Sequence, residues 1–182
     1  MRLFSVFCIV ALIAGCSSQP EFPELNEFSI ADKSFTGKIN FKKLVSTTGF
    51  KVLLKTNTGE TDQTIFRYKP YRFDTADVNR DGRTDIIVGL IKATQFDPVE
   101  KKRLFILQID DNNLRPLWLG SKVCQELIDF KVLNNGVIQT LERTSTGSYS
   151  IGQYYWQSFG LTLEKYIHHE INFNYATQLF NQ

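Results

Sequence analysis

Phe73-Asp74-Thr75-Ala76-Asp77-Val78-Asn79-Arg80-Asp81-Gly82-Arg83-Thr84-Asp85-Ile86-Ile87-Val88-Gly89 is the stretch that decides how this chain folds. Oxygen-bearing side chains stand at Asp77, Asn79, Asp81 and Asp85, positions one, three, five and nine of a loop, and the carbonyl of Arg83 falls at position seven. Gly82 occupies position six, where a chain wrapping tightly around an ion needs a positive φ. Calcium is a hard cation that takes about six to eight oxygens, and this loop offers most of them, with water to complete the shell. A helix–loop–helix site would place a bidentate Glu at position twelve. Here that position is Val88. Asp85 instead opens an apolar run from Ile86 to Ile91, interrupted only by Gly89, which predicts a strand covered on both faces. The metal-free alternative is a set of Asx turns around an Asp-Gly corner, with Arg80 and Arg83 neutralising the carboxylates.

Asp-x-Asn-x-Asp-Gly-x-x-Asp-Ile-Ile-Val-Gly resembles the metal loop of FG-GAP/VCBS-type repeats, which form blades of β-propellers. By position, the resemblance implies Ca2+ held by Asp77, Asn79, Asp81, the Arg83 carbonyl and Asp85. It covers about seventeen residues closely and the following thirty only in general pattern.

Outward from the loop, the rest of the mature chain reads as short apolar runs between turn signals. Thr47-Thr48-Gly49, Asn57-Thr58-Gly59, Asp111-Asn112-Asn113, Asn135-Gly136 and Thr146-Gly147 recur at intervals that predict an all-β fold. Asn135-Gly136, between Ile128–Leu133 and Val137–Glu142, predicts a hairpin with a type I′ turn, which needs a positive φ at both central residues. Arg103, Phe105, Leu107 and Ile109 fall on one side of a strand, with Leu104 and Ile106 on the other. Tyr149, Ile151 and Tyr155 likewise alternate with Gly152, Tyr154 and Trp156. Apolar groups on both faces are what stacked sheets demand.

The unit from Phe73 to Gly120 also resembles that from Leu127 to Tyr166 in its order of strands and turns. Aligning Asp81-Gly82 with Asn135-Gly136 puts Lys131 and Leu133 where Asp77 and Asn79 stood, so the second unit keeps the turn and loses the metal. Phe35 to Tyr68 would be a third unit. The expected fold is antiparallel blade-like repeats in a partial or open β-propeller, or else a compact β-sandwich.

The N-terminus reads as an export signal. Arg2 supplies the positive charge and Leu3 to Ala14 an apolar run shorter than the roughly twenty residues that span a bilayer. Leu12-Ile13-Ala14-Gly15-Cys16 resembles a bacterial lipobox, in which the Cys becomes the lipidated first residue. Ser17 is not the Asp of inner-membrane retention, so the resemblance implies the outer membrane of a Gram-negative envelope. The expected organisation is a signal peptide over 1–15, a tether carrying Pro20 and Pro23 over 16–34, and an all-β domain over 35–182.

With Cys8 removed and Cys16 lipidated, only Cys124 remains, which excludes a disulfide framework. Its apolar surroundings predict a buried structural thiol. A mature chain of about 165 residues is long enough to bury a sufficient core without one. Net charge is +2 with both signs interspersed, and the small clusters Lys42-Lys43 and Lys101-Lys102-Arg103 give no reason to expect a nucleic-acid partner.

His168-His169-Glu170 reads as a surface pair, because adjacent strand residues point to opposite faces. Tyr154, Tyr155, Trp156 and Phe159 offer an aromatic platform for sugar rings if they are exposed. No nucleophile motif, metal-protease motif or phosphate loop is present, so no catalytic residue is expected. The functional expectation is a non-enzymatic, membrane-anchored lipoprotein with a structural calcium site, acting in binding or envelope assembly. The alternative is an accessory glycan-binding surface lipoprotein.

Overall fold

The computed structural model describes residues 22–23, 26–45, 47–95, 97–120 and 122–182. The expected signal peptide and Cys16 lie outside them. Among the described residues β1 (Glu27–Ala31), β2 (Thr36–Lys43), β3 (Phe50–Thr56) and β4 (Gly59–Phe66) form the first of three sheets. The second is β5 (Lys69–Ala76), β6 (Asp85–Lys92), β7 (Lys101–Asp110) and β8 (Asn113–Leu119). The third is β9 (Glu126–Val132), β10 (Ile138–Arg143), β11 (Tyr149–Gln157) and β12 (Gly160–Ile171), followed by a short helix α1 (Phe173–Phe180). Each sheet is a four-stranded antiparallel meander in chain order, and none closes into a barrel.

The alternation of side chains explains why the sheets stack. In β6, Ile86, Val88 and Leu90 join an apolar cluster shared with the first sheet, while Ile87 joins one shared with the third. β7 divides in the same way, with Phe105, Leu107 and Ile109 toward the first sheet and Leu104 and Ile106 toward the third. The middle sheet therefore has no wet face, and the chain is an open stack of three blade-like sheets.

The first interface is aromatic. Phe41 of β2 stacks on Phe73 of β5 with ring centroids 3.8 Å apart, and Phe50, stacked at 5.0 Å on its strand neighbour Phe66, reaches Phe73 at 5.1 Å. Two polar links add register between sheets. Asp62 of β4 accepts the N–H of Leu114 at 2.7 Å, and Arg72 of β5 grips Asp129 of β9 through Nε and Nη2, both at 2.9 Å.

Four local expectations are corrected. The segment expected to be a tether up to residue 34 contains β1, whose Phe28 and Ile30 turn inward in a five-residue alternation too short to stand out beside Pro20 and Pro23. The Asn135-Gly136 turn is not type I′, since Gly136 (φ 76) but not Asn135 is left-handed and its N–H bonds to the Leu133 carbonyl at 2.9 Å. That arrangement is a type I turn closed by a left-handed glycine. A turn with two consecutive left-handed residues occurs instead at Asp111 (φ 47) and Asn112 (φ 59). Cys124 is exposed, because it lies in the link from β8 to β9 where Val123 takes the buried position.

The fourth difference is α1, which the pattern of turns did not announce. Asn172 caps it by accepting the N–H of Tyr175 at 3.0 Å, and Ala176 and Phe180 cover Leu141 and Ile151 on the outer face of the third sheet.

Phe50 is fully buried and contacts the rings of Phe66 and Phe73. Phe50→Ala is expected to cost about 3–5 kcal/mol in chemical denaturation; a loss below ~1 kcal/mol would show that the first and second sheets are not packed as described.

Candidate metal centre

The three turns that lead from the first to the second strand of each sheet gather around one loop. The middle one is Asp77–Thr84, between β5 and β6. On one side the β1–β2 turn brings Asp32 and Lys33. On the other the β9–β10 turn brings Gly136, whose left-handed backbone passes so close that a Cβ there would stand 2.2 Å from the Asp77 carbonyl oxygen. The alignment of Asp81-Gly82 with Asn135-Gly136 thus corresponds to equivalent turns in neighbouring sheets.

Within the loop, Val78 anchors the chain by burying itself in the cluster between the second and third sheets. This leaves its neighbours Asp77 and Asn79 to face the loop interior. Asp77 accepts the N–H groups of Asp81 at 3.0 Å and Gly82 at 2.8 Å, one on each carboxylate oxygen. Asn79 Oδ1 also accepts from Asp81 at 3.1 Å, and Asp81 Oδ1 accepts from Arg83 at 2.9 Å. Gly82 has the positive φ, 79°, that its position requires, and Arg80 at the preceding corner adopts φ 60°.

Asp85 closes the loop and starts β6. Its side chain is 0% exposed; Oδ2 accepts the Val78 N–H at 3.0 Å, but Oδ1 is buried with no hydrogen-bond partner among the described residues. Burial pushes its carboxyl up to about 7, with the Asp81 and Asp77 charges acting in the same direction against the backbone N–H groups of Val78 and Asn79.

The expected ligands are therefore brought to one loop, but they do not converge as they stand. Among the described residues no three His, Cys, Asp or Glu side chains are grouped closely enough to hold a metal ion. The loop oxygens are turned to backbone donors, each carboxylate keeping lone pairs to spare. The Arg83 guanidinium lies outside the loop, 4.0 Å from Asp81 and 3.4 Å from Asp110, and the Lys33 ammonium donates to the Asp81 carbonyl. Cationic side chains thus share in neutralising the loop, as the metal-free alternative requires of Arg83. None of them reaches Asp85 Oδ1. That orphaned oxygen is the observation that fits a bound cation, because a buried acceptor without a donor costs about 1–3 kcal/mol, and more when charged.

Asp32 was not legible as part of this centre. Its Oδ1 accepts the N–H and hydroxyl of Ser34 at 2.8 and 2.7 Å, and its Oδ2 accepts the N–H of Thr84 at 2.6 Å. Burial opposes its ionisation, but these donors hold the carboxyl well below the usual range. It ties the β1–β2 turn to the residue before Asp85. The signal for it was an Asp-Lys-Ser-Phe turn whose partner lies 52 residues away.

The remaining sequence candidates separate. Tyr154 is 2% exposed and Trp156 packs in the cluster between the second and third sheets, whereas Phe159 is 88% exposed at the β11–β12 turn. These aromatics do not form one platform. The Tyr154 hydroxyl accepts the Cys124 N–H at 3.0 Å, beside a fully buried Glu142 that accepts from Thr140, Gln125 and Tyr166. His168 and His169 are consecutive residues of β12, and the His169 ring lies 5.2 Å from that of Tyr166.

No protein-family model, curated protein or solved structure matches this chain.

The raised carboxyl of Asp85 fixes a pH dependence for metal-free protein. Below about pH 4 both states hold its proton; as pH rises toward about 7 the unfolded chain releases it and the folded chain does not, so stability falls across that window and levels off above it. In chelator, wild type is expected to lose on the order of a few kcal/mol more than Asp85→Asn between those limits. Denaturation curves that run parallel for the two proteins at every pH would refute this.

Proposed function

We propose that this chain is a lipid-anchored, non-enzymatic envelope protein whose middle sheet is locked by a structural calcium ion, and that it works as a binding or assembly module. The observation that carries the metal reading is the buried, donorless Oδ1 of Asp85 behind a loop of Asp77, Asn79 and Asp81. In this reading Asp77, Asn79, Asp81, the Arg83 carbonyl and Asp85 hold the ion, as in the FG-GAP/VCBS-type repeats that residues 73–89 resemble. The ion supplies positive charge to crowded carboxylates and rigidifies the turn that leads into β6. Convergence on an ion would require rotation of the loop side chains, of which Asp81 is exposed and Asp77 and Asn79 are half-buried.

The calcium reading predicts stabilisation by linkage of about 1.4 kcal/mol when the free ion stands at ten times its dissociation constant. Asp81→Ala is expected to lower the melting temperature in calcium and to leave it nearly unchanged in chelator. Equal losses in both would show that Asp81 serves the turn and not an ion.

The anchor reading rests on Leu12–Cys16, followed by Ser17. Several acyl chains, each methylene contributing about 0.8 kcal/mol when buried, hold a protein in a bilayer without further contacts. Cys16→Ser is expected to abolish incorporation of labelled fatty acid and to move the protein from the membrane to the soluble fraction. Unchanged labelling would overturn the assignment. The glycan-binding alternative loses ground to the burial of Tyr154, with Tyr155 and Trp156 half-buried, which leaves Phe159 as the fully exposed member of that set.

A further inference from the structure

We infer that the end of the first sheet carrying the β2–β3 turn rests on an anionic phospholipid surface. From Lys33 to Gly59 the chain holds six lysines (Lys33, Lys38, Lys42, Lys43, Lys51 and Lys55) and no Asp or Glu, in a protein whose net charge is only +2. Ile39, Phe41, Val52 and Leu54 turn into the core between the first and second sheets. By alternation Lys38, Lys42, Lys51 and Lys55 stand on the opposite, outer face. The register places Lys38 directly across from Lys55, and Lys42 directly across from Lys51. Like charges facing each other across a strand pair cost stability unless a counter-charge meets them.

The two pairs differ in their surroundings. Lys38 is bound to Glu27 at 2.6 Å, and Lys55 faces Glu60 across β4. At the other end Lys42, Lys43 and Lys51 form no ion pair among the described residues. That end is also where apolar side chains meet solvent: Val45, in the β2–β3 turn, is 104% exposed, and Ile65, directly opposite Lys51, is 55% exposed. An apolar tip ringed by cations matches a headgroup layer, with phosphates for the ammonium groups and the acyl boundary for the tip.

The point at which the chain joins the fold gives the orientation, and here the inference rests on the anchor reading above. The ring of Phe22 packs 6.5 Å from Phe50 and 5.5 Å from Phe73. Phe50 begins β3 directly after the turn and pairs with Lys43. Cys16 precedes Phe22 by six residues, a span of at most about 20 Å. A lipid at Cys16 is therefore on a leash short enough to keep the Phe22 end of the fold, where Phe50 pairs with Lys43, beside the bilayer, so that its lysines can come within the Debye length of about 8–10 Å at which they feel the surface.

The test compares full-length lipidated protein in vesicles of phosphatidylcholine alone with protein in an equal mixture of phosphatidylcholine and phosphatidylglycerol. Acetylation by an amine-reactive ester is followed lysine by lysine by mass spectrometry. Lys42, Lys43 and Lys51 are expected to react about fivefold more slowly on the anionic vesicles, with the protection lost in high salt. Lys165, on β12 of the third sheet, is expected to react equally on both. Combined Lys42→Gln, Lys43→Gln and Lys51→Gln, all at exposed or half-buried sites, should remove any salt-sensitive preference for the anionic vesicles. Equal rates at these lysines on both vesicles, or equal slowing at Lys165, would overturn the inference, as would protection by soluble polyphosphate without protection by the vesicles. Failure of the anchor reading shows separately, as protein that does not float with phosphatidylcholine vesicles. Flotation with the anionic vesicles alone would then support the lysine surface, and flotation with neither would defeat it.

Discussion

A β-sheet with apolar residues on both faces cannot remain alone in water, and the middle sheet of this protein is such a sheet. Ile86, Val88 and Leu90 face one way while Ile87 faces the other, and β7 repeats the division with Phe105 and Leu107 against Leu104 and Ile106. Each fully buried side chain of this kind contributes about 1.5–3 kcal/mol. The flanking sheets answer to that requirement. The first meets it with a stack of phenylalanine rings and the third with Phe130, Ile138 and Tyr154. Because every sheet is a meander in chain order, the equivalent turns of all three come to one end, where the acidic loop sits between its neighbours.

The features legible in the sequence were those generated by local pattern. β6 was readable because its apolar run is interrupted only by Gly89, and the two faces of β7 because alternation persists through ten residues. Gly82 was readable because a loop of alternating Asp and Asn needs a left-handed corner at that position. What failed to show was set by contact at a distance. β1 is five residues long and gains its identity from pairing with β2. Cys124 faces solvent against expectation because an apolar neighbourhood in sequence does not say which of Val123 and Cys124 turns inward. Asp32 and Lys33 reach the acidic loop only because two sheets stack, and no spacing within one sheet encodes that.

At the loop itself, opposing demands meet in Asp85. Its position at the start of a buried strand removes it from water, while its carboxylate remains next to Asp77 and Asp81. One oxygen is satisfied by the Val78 N–H and the other by no donor among the described residues. A chain that only needed a turn here would be better served by Asn or Ser, since either satisfies backbone donors without burying a charge. Retaining a carboxylate at such a place makes sense when a cation or a proton shares it, and the two are distinguished by how stability responds to pH and to calcium.

The helix α1 bears on how the stack ends. Sheets that pair face to face through apolar surfaces have no intrinsic stopping rule, since a bare outer face invites another copy. Leu141 and Ile151 offer such a face on the third sheet, and Ala176 and Phe180 occupy it. At the opposite pole the rows of ammonium groups repel an identical neighbour. Among the described residues the stack thus ends differently at its two poles, under an oily lid at one and behind a row of cations at the other, and neither end offers a long bare apolar strand for pairing.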